Sequence, residues 1–299
     1  MRFLQTAAWQ IGQGFPGLGE GQAAQLREAR FGTVAHVLGL AEREKVDAIL
    51  VVGNVWADNR IRTQDVERLA GVMAGSAVPV YLLPGESDRY TFDSPYRLQA
   101  DLFKPPVVLL LEPMEVVPLP IPAAKVGLAW RSTKTAEDLG FEYLALGEPT
   151  GETSPRTRGS GTPEPTGFGS GGGNVLLVDL PGPTVKTYPV KTYRWEEATR
   201  EVHGEEDLLA LRQRLEEKAN DHGLLHLRLT GALPAPLVAG LDELETEFAS
   251  RYFYLSIDNE VTPLAVSYRH PLLQEMAQRL EPQALVALSK LVAGSKELE

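Results

Sequence analysis

The sequence has no cysteine and only five histidines among its 299 residues. The absence of cysteine excludes disulfides, thiolate zinc sites and cysteine nucleophiles. Runs of about 18 apolar residues are also missing, so no membrane-spanning helix is predicted. No small-residue cleavage site follows the N-terminal apolar stretch. We therefore predict no secretory signal and expect a cytoplasmic protein.

Positive charge is scarce. Lys and Arg number 29 against 40 Asp and Glu, which gives a formal net charge of −11. Proteins that neutralise phosphates usually carry a basic surface, so DNA binding by this chain alone is not expected. Apolar residues make up 43% of the sequence. This content and the length are typical of a large globular domain with a smaller one beside it.

The first 190 residues alternate β-rich runs with amphipathic stretches. The predicted strands are Arg2–Ala7, Ala48–Val52, Val78–Leu83, Val107–Leu111, Val126–Ala129, Tyr143–Leu146 and Val175–Leu180, and the predicted helices are Gln22–Glu44 and Asp65–Ala74. This pattern predicts an α/β domain over residues 1–190, with two central sheets flanked by helices. Gly147–Gly173 is so rich in Gly, Pro, Ser and Thr that a flexible loop is predicted there.

Two further regions come after this domain. Residues 191–270 are predicted to form a small α+β domain, with elements at Asp207–Asn220 (helix), Leu224–Leu229 (strand), Pro236–Ser250 (helix) and Tyr252–Ile257 (strand). Residues 271–299 are predicted to form a C-terminal helical segment. Its stretch Leu272–Val292 carries apolar residues at helical spacing, and Pro282 divides it into two helices.

Four loops follow predicted strands of the first domain, at their carboxyl ends. They are Gln5–Gly12 (QTAAWQIG), Val51–Asn59 (VVGNVWADN), Leu82–Asp88 (LLPGESD) and Tyr143–Gly151 (YLALGEPTG). Ligands of layered α/β folds usually bind at such strand ends. The four loops are therefore the predicted location of any functional site.

In order and spacing, these four strings resemble the motifs of calcineurin-like metallophosphoesterases. The similarity is greatest to the branch of bacterial DNA-repair exonucleases of the SbcD and YhaO type. It extends to Ser160–Phe168 (SGTPEPTGF), to the run NVLLVDL and to the run KTYRW. The resemblance implies a two-sheet metallophosphoesterase sandwich flanked by helices, a small α+β cap domain and C-terminal helices. In this family two divalent ions, held by Asp, His and Asn, activate a hydroxide that attacks a phosphodiester.

The residues at the family's ligand positions differ from the family pattern. The degenerate positions are Ala8, Gln10, Asn54, Glu86, Ser87, Asp88, Glu148 and Thr150, among which only Asp88 keeps the family's residue. The bridging aspartate of the family is replaced by Asn54, and no histidine occurs between His36 and His203 to act as the intermediate ligand. The resemblance thus implies a degenerate site, with no catalytic residue, cofactor or metal expected.

Two alternative interpretations concern the same loops. Asn54, Glu86, Asp88 and Glu148 offer oxygen ligands of the kind that Mg²⁺, Mn²⁺ or Ca²⁺ prefer. A remodelled site of this kind would make the chain an active phosphodiesterase or DNA exonuclease using Mn or Mg. Otherwise Glu86 and Glu148 are solvated at loop tips and Asp88 caps a turn or helix.

A third interpretation is a binding module in which the cleft accepts a nucleotide or a DNA end. The aromatic residues Trp9, Trp56 and Tyr90 would then stack on bases. Packing in the core or at the rim is the alternative role for these three side chains.

The resemblance also implies partners. Family nucleases act with an ABC-type ATPase of the SbcC kind, and they commonly form homodimers. The apolar stripe of Leu272–Val292 suits docking on such an ATPase, although packing within the chain would account for it equally well. The ligands lost relative to the family and the acidic net charge favour a non-catalytic structural or regulatory subunit over an active enzyme.

Overall fold

The computed structural model describes residues 1–112, 114–121, 124–148 and 154–264 of a mixed α/β chain. The chain forms two compact units, the first ending at Tyr193 and the second beginning at Arg194. Thr150, the stretch Leu272–Val292 and the predicted helical segment 271–299 lie outside the described residues. None of the described helices combines the length and apolar character needed to cross a membrane.

The first unit contains ten strands and four helices among its described residues. The strands are β1 (Arg2–Thr6), β2 (Ala48–Val52), β3 (Val80–Leu83), β4 (Val107–Leu109), β5 (Val117–Pro118), β6 (Val126–Ala129), β7 (Tyr143–Leu146), β8 (Thr157–Gly159), β9 (Asn174–Asp179) and β10 (Thr184–Pro189). The helices are α1 (Glu20–Arg43), α2 (Thr63–Ala74), α3 (Pro95–Leu98) and α4 (Ala136–Leu139), with a 3₁₀ turn at Ala100–Leu102. Each strand and helix predicted in this unit is confirmed, with ends that differ by a few residues.

These strands form two sheets. The six-stranded sheet has the order β10-β9-β1-β2-β3-β4, in which β1 to β4 are parallel and β9 and β10 antiparallel. The four-stranded sheet has the order β5-β6-β7-β8, with β6, β7 and β8 parallel. Because β1, β2 and β3 are parallel neighbours, the loops that follow them lie side by side.

Two buried apolar clusters hold the unit together. In the first, alternate residues of β1, β2 and β3 pack with α1 and α2; Leu4 and Ile49, for example, share a cluster with Val37 and Leu69. In the second, the intervening residues, such as Phe3 and Leu50, share a cluster with Leu128 and Ala145 of the four-stranded sheet. This division of strand residues between the two clusters follows from the period-two alternation of side chains along a strand. Because both faces of β2 are covered, its run AILVV is apolar throughout.

A buried glutamine connects the two sheets. The Gln5 side-chain amide donates to the carbonyls of Leu146 at 2.9 Å and Arg158 at 2.8 Å. Its oxygen accepts a 2.8 Å hydrogen bond from the Tyr143 hydroxyl. All polar atoms of this side chain are thereby satisfied, as burial requires.

The second unit is built on a parallel sheet. Its elements are β11 (Arg194–Val202), α5 (Glu205–Lys218), β12 (Gly223–Pro234), α6 (Ala235–Ala239), α7 (Leu244–Phe248), a 3₁₀ turn at Ala249–Arg251, β13 (Tyr254–Asn259) and β14 (Thr262–Leu264). The long strand β12 lies between β11 and β13, and its final residues pair with β14. Leu211 and Leu215 of α5 and Phe248 of α7 belong to the same buried cluster as Leu227 of β12.

Two predictions from sequence are wrong in detail. The single helix predicted over Pro236–Ser250 is two short helices, since α6 ends at Ala239 and α7 begins at Leu244. Strand β10 was not predicted because most of its residues are exposed or half-buried, and the charged strand β11 was missed for the same reason. The stretch predicted as a flexible loop contains β8 and a buried run at residues 161–165, so this part of it is packed.

Candidate functional site

The loops after β1 and β2 are joined by backbone hydrogen bonds. Ala8 N donates to Gly53 O at 2.8 Å, and Gln10 N donates to Asn54 O at 3.0 Å. Ile11 N continues this series, at 2.8 Å from Val55 O. The first two of the four predicted loops therefore form one rigid platform.

Three residues of this platform have a left-handed backbone. The φ angles are +48° at Ala8, +50° at Gln10 and +54° at Asn54. Asparagine tolerates this region, whereas alanine and glutamine are strained there, at a cost of the order of 1–3 kcal/mol each. Backbone strain of this kind is concentrated at functional sites. Here it falls on three of the positions that the resemblance assigns to metal ligands.

Asp88 fastens the loop after β3 to this platform. Its buried carboxylate accepts hydrogen bonds from Gly85 N at 2.6 Å, Asn54 N at 3.0 Å, Val55 N at 2.7 Å, Trp56 N at 3.4 Å and the Tyr96 hydroxyl at 2.7 Å. Burial raises the pKa of Asp88, and the hydrogen bonds, led by that of Tyr96, act against this rise. Both carboxylate oxygens are occupied by donors from the protein, so Asp88 caps the turn.

Asn54 and Ser87 add a second connection between the same loops. The Asn54 side-chain oxygen accepts a 3.0 Å hydrogen bond from Ser87 N, and the Ser87 hydroxyl donates to Trp56 O at 2.7 Å. A Cβ at Gly85 would lie only 2.3 Å from the Asn54 oxygen. The side chain of Asn54 thus serves to pack the loops together.

The two glutamates lie at partly exposed positions and share one arginine. Arg131 forms an ion pair with Glu86 and lies 3.7 Å from Glu148. Arg89 is 3.5 Å from Glu86 on its other side. Each glutamate therefore has a guanidinium as its counter-ion.

Trp130, next to that arginine, packs where the loops after β2 and β7 meet. Its ring lies so close to Gly53 and Gly147 that a Cβ there would be 2.6 Å and 2.4 Å from it, respectively. A Cβ at Gly147 would also lie 1.9 Å from the Val52 carbonyl oxygen. Sequence reasoning missed Trp130 and Arg131. Their position directly after β6, another strand with its carboxyl end at a loop, could have indicated them.

The remaining predicted residues occupy different surroundings. Ala8 is buried and Gln10 is half-buried. Trp9 and Trp56 are fully buried, which agrees with packing in the core and leaves neither ring free to stack on a base. Trp9 also donates its indole N–H to the Thr6 hydroxyl at 2.9 Å. Tyr90 is exposed.

These contacts determine which side chains of the four loops are available to bind a metal ion or another ligand. In the described part of the chain, no group of three or more Asp, Glu and His side chains is placed to hold a metal ion. The carboxylates of the loops accept from backbone amides or pair with arginine. An open cleft of about 590 Å³ adjoins them, lined by Glu86, Trp130 and Arg131 among others.

Comparisons with known proteins do not identify this site. No protein-family model matches the sequence. A search of curated proteins gives no significant match either. The function of the four loops is therefore inferred from their own contacts and from the cleft that adjoins them.

Proposed function

We propose that the chain is a catalytically degenerate relative of the DNA-repair exonuclease branch of the metallophosphoesterases, acting in the cytoplasm as a non-catalytic structural or regulatory subunit. One observation carries this proposal. Asp88, which matches the family's motif, has both carboxylate oxygens bound to backbone amides and to the Tyr96 hydroxyl.

The donor set does not fit a pair of divalent ions. Such a centre needs several carboxylate and imidazole ligands around a bridging hydroxide. Ala8 offers no ligand atom, the Asn54 oxygen accepts from Ser87 N, and the glutamates lie beside Arg131. A guanidinium supplies the positive charge that carboxylates gathered at one site require.

The proposed architecture is the two-sheet sandwich with a cap of the α+β type. Support comes from the apolar cluster shared by the six-stranded and four-stranded sheets of the first unit. The left-handed backbone at positions matched to family ligands is a second support, since alanine and glutamine, present at two of them, are strained in this conformation.

We also propose that an SbcC-like ABC ATPase is the partner, bound through Leu272–Val292, and that the protein forms a homodimer. The support is the apolar pattern of this stretch, at Leu280 and Leu288 among other positions. Helices with such a stripe dock in grooves or on other helices.

A cleavage assay tests the catalytic part. With Mn²⁺, the purified full chain should cleave neither single- nor double-stranded DNA nor a chromogenic phosphodiester above the rate without protein. The test pair is Glu86→Gln with Glu148→Gln, and the control pair is Glu42→Gln with Glu67→Gln, at exposed helical positions. Cleavage by the wild type that the test pair abolishes and the control pair retains would contradict the proposal.

Co-purification tests the partner. The full chain should elute together with an SbcC-like ATPase encoded in the same genome. Leu280→Glu with Leu288→Glu should abolish this, because charge is inserted into the apolar stripe. Gln278→Glu, which adds charge outside those positions, should leave binding unchanged. Equal binding by all three proteins would show that the stripe is not the docking element.

A further inference from the structure

The cleft beside the four loops has the size and lining of a ligand site. Its volume of about 590 Å³ falls within the range of about 300–1,000 Å³ typical of binding pockets. The largely buried side chains of Leu83 and Leu110 line it, together with the ring of Trp130.

Large apolar side chains stand exposed at the cleft. Tyr90 and Met114 line it and are 44% and 56% exposed, respectively. Phe92, two residues after Tyr90, is 81% exposed and is not part of the cleft lining. Exposed apolar side chains such as Tyr90 and Met114 at one cleft mark a surface that binds another molecule.

The loop that carries Tyr90 and Phe92 is held in place. The Asn59 amide donates to Arg89 O and to the Thr91 hydroxyl, both at 3.0 Å. Thr91 in turn donates to the Asp93 carboxylate at 2.5 Å, and Ser94 N donates to Thr91 O at 3.2 Å. Because this loop is already ordered, a ligand would bind without a large entropic cost.

The cleft lining is weakly acidic, since it carries three glutamates and two arginines, a formal net charge of −1. Glu86 is paired with both arginines of the lining, Arg89 and Arg131. Glu112 and Glu115 also line the cleft, and neither forms an ion pair within the described residues. A ligand that complements this lining therefore carries positive charge next to apolar bulk.

We infer that this cleft binds a segment of a partner protein in which a bulky apolar side chain lies next to Lys or Arg. The apolar side chain fills the space between Trp130 and Met114, and the basic groups lie against Glu112 and Glu115. An apolar anchor surrounded by complementary charge is the usual arrangement of a peptide-binding groove. This inference concerns what the cleft binds and is separate from the loss of catalysis and from docking through Leu272–Val292.

Fluorescence anisotropy with a labelled amphipathic peptide of leucine and lysine tests the inference on the full chain. The peptide should bind, whereas a leucine–glutamate peptide and a glycine–lysine peptide of equal length should bind at least about tenfold more weakly. Glu112→Lys with Glu115→Lys should weaken binding of the leucine–lysine peptide by a similar factor, as should Met114→Glu.

Matched variants separate the cleft from the general acidity of the chain. Glu42→Lys with Glu67→Lys makes the same change of charge away from the cleft lining, and Leu209→Glu alters an exposed leucine of α5. Both should retain wild-type affinity. The inference is overturned if the peptide does not bind, if control and cleft variants weaken binding equally, or if a single-stranded oligonucleotide binds in its place.

Discussion

At the scale of single residues, the contacts of Asp88 distinguish between two interpretations of its motif position. From sequence, Asp88 is either an oxygen ligand of a remodelled metal site or the cap of a turn or helix, and the capping contacts are the ones present. Its donors come from the loops after β2 and β3 and from Tyr96, eight residues further on. Such a set of partners depends on how strands are ordered in the sheet, which sequence spacing does not specify.

The hydrogen bond from Tyr96 to Asp88 should make stability depend on pH. This bond favours the ionised carboxylate, so its contribution is present above the pKa of Asp88 and is lost as pH falls through it. Burial sets that pKa above the ordinary value of 3.8. Tyr96→Phe should lower the free energy of unfolding by about 1.5–3 kcal/mol near neutral pH, and by less in acid.

Urea denaturation across a pH series measures this effect. Tyr143→Phe is the matched control, because the Tyr143 hydroxyl donates to the neutral amide of Gln5. The loss in free energy of unfolding caused by this variant should not change over the same range of pH. Equal pH dependence of the two variants would refute the assignment to Asp88.

At the scale of elements, the segment Ser160–Phe168 is fixed by one buried carboxylate. Glu164 accepts from the Thr33 hydroxyl at 2.8 Å, Thr192 N at 2.7 Å and Tyr193 N at 2.9 Å. Nearby, Arg30 of α1 donates to Trp9 O and Pro165 O, both at 2.8 Å. Burial lowers the pKa of Arg30 to about 10, and the charge of Glu164 opposes this. The composition of the segment predicted a flexible loop. Composition does not reveal hydrogen bonds to a distant helix, so the packing of the segment could not be predicted from it.

Glu164→Gln should therefore destabilise the first unit strongly. The substitution removes the charge that compensates Arg30 and leaves three donors with a weaker acceptor. We expect a loss of about 3 kcal/mol in the free energy of unfolding, as found when one partner of a buried ionic network is removed. Urea denaturation at neutral pH measures it, with the exposed Glu67→Gln as control. A loss no larger than that of the control would mean that the network does not hold the segment.

At the scale of the whole molecule, whether a strand could be predicted from the sequence depends on how deeply that strand is buried. Strands such as β2, apolar on both faces, were placed correctly because only a covered strand can be apolar throughout. Strands β10 and β11 carry polar and charged residues at half-exposed positions, where periodicity is weak. At the site, the loops and their positions were predicted, but Trp130 and Arg131 were not. Trp130 contributes by packing against glycines of other loops and Arg131 by ion pairs with distant glutamates, and neither contact leaves a motif in the sequence. The family assignment stays a prediction.

The first unit should fold by itself. Both of its apolar clusters draw only on residues before Arg194, and its sheets are complete within that range. A fragment of residues 1–193 should therefore unfold cooperatively, as monitored by circular dichroism during heating. A fragment of residues 1–173 lacks β9 and β10 and should show no cooperative transition. Absence of a transition in the longer fragment would show that the unit needs the rest of the chain.

The close approach of three glycines has a consequence for tolerance to mutation. Gly53, Gly85 and Gly147 lie where any Cβ would collide with a neighbouring loop, whereas the acidic positions 86 and 148 are partly exposed. Selection for folding alone would therefore keep the glycine spacing of the motifs while the charged positions drift. Glycine spacing in such loops therefore reflects how closely the loops pack, and it does not by itself indicate what chemistry the charged positions perform.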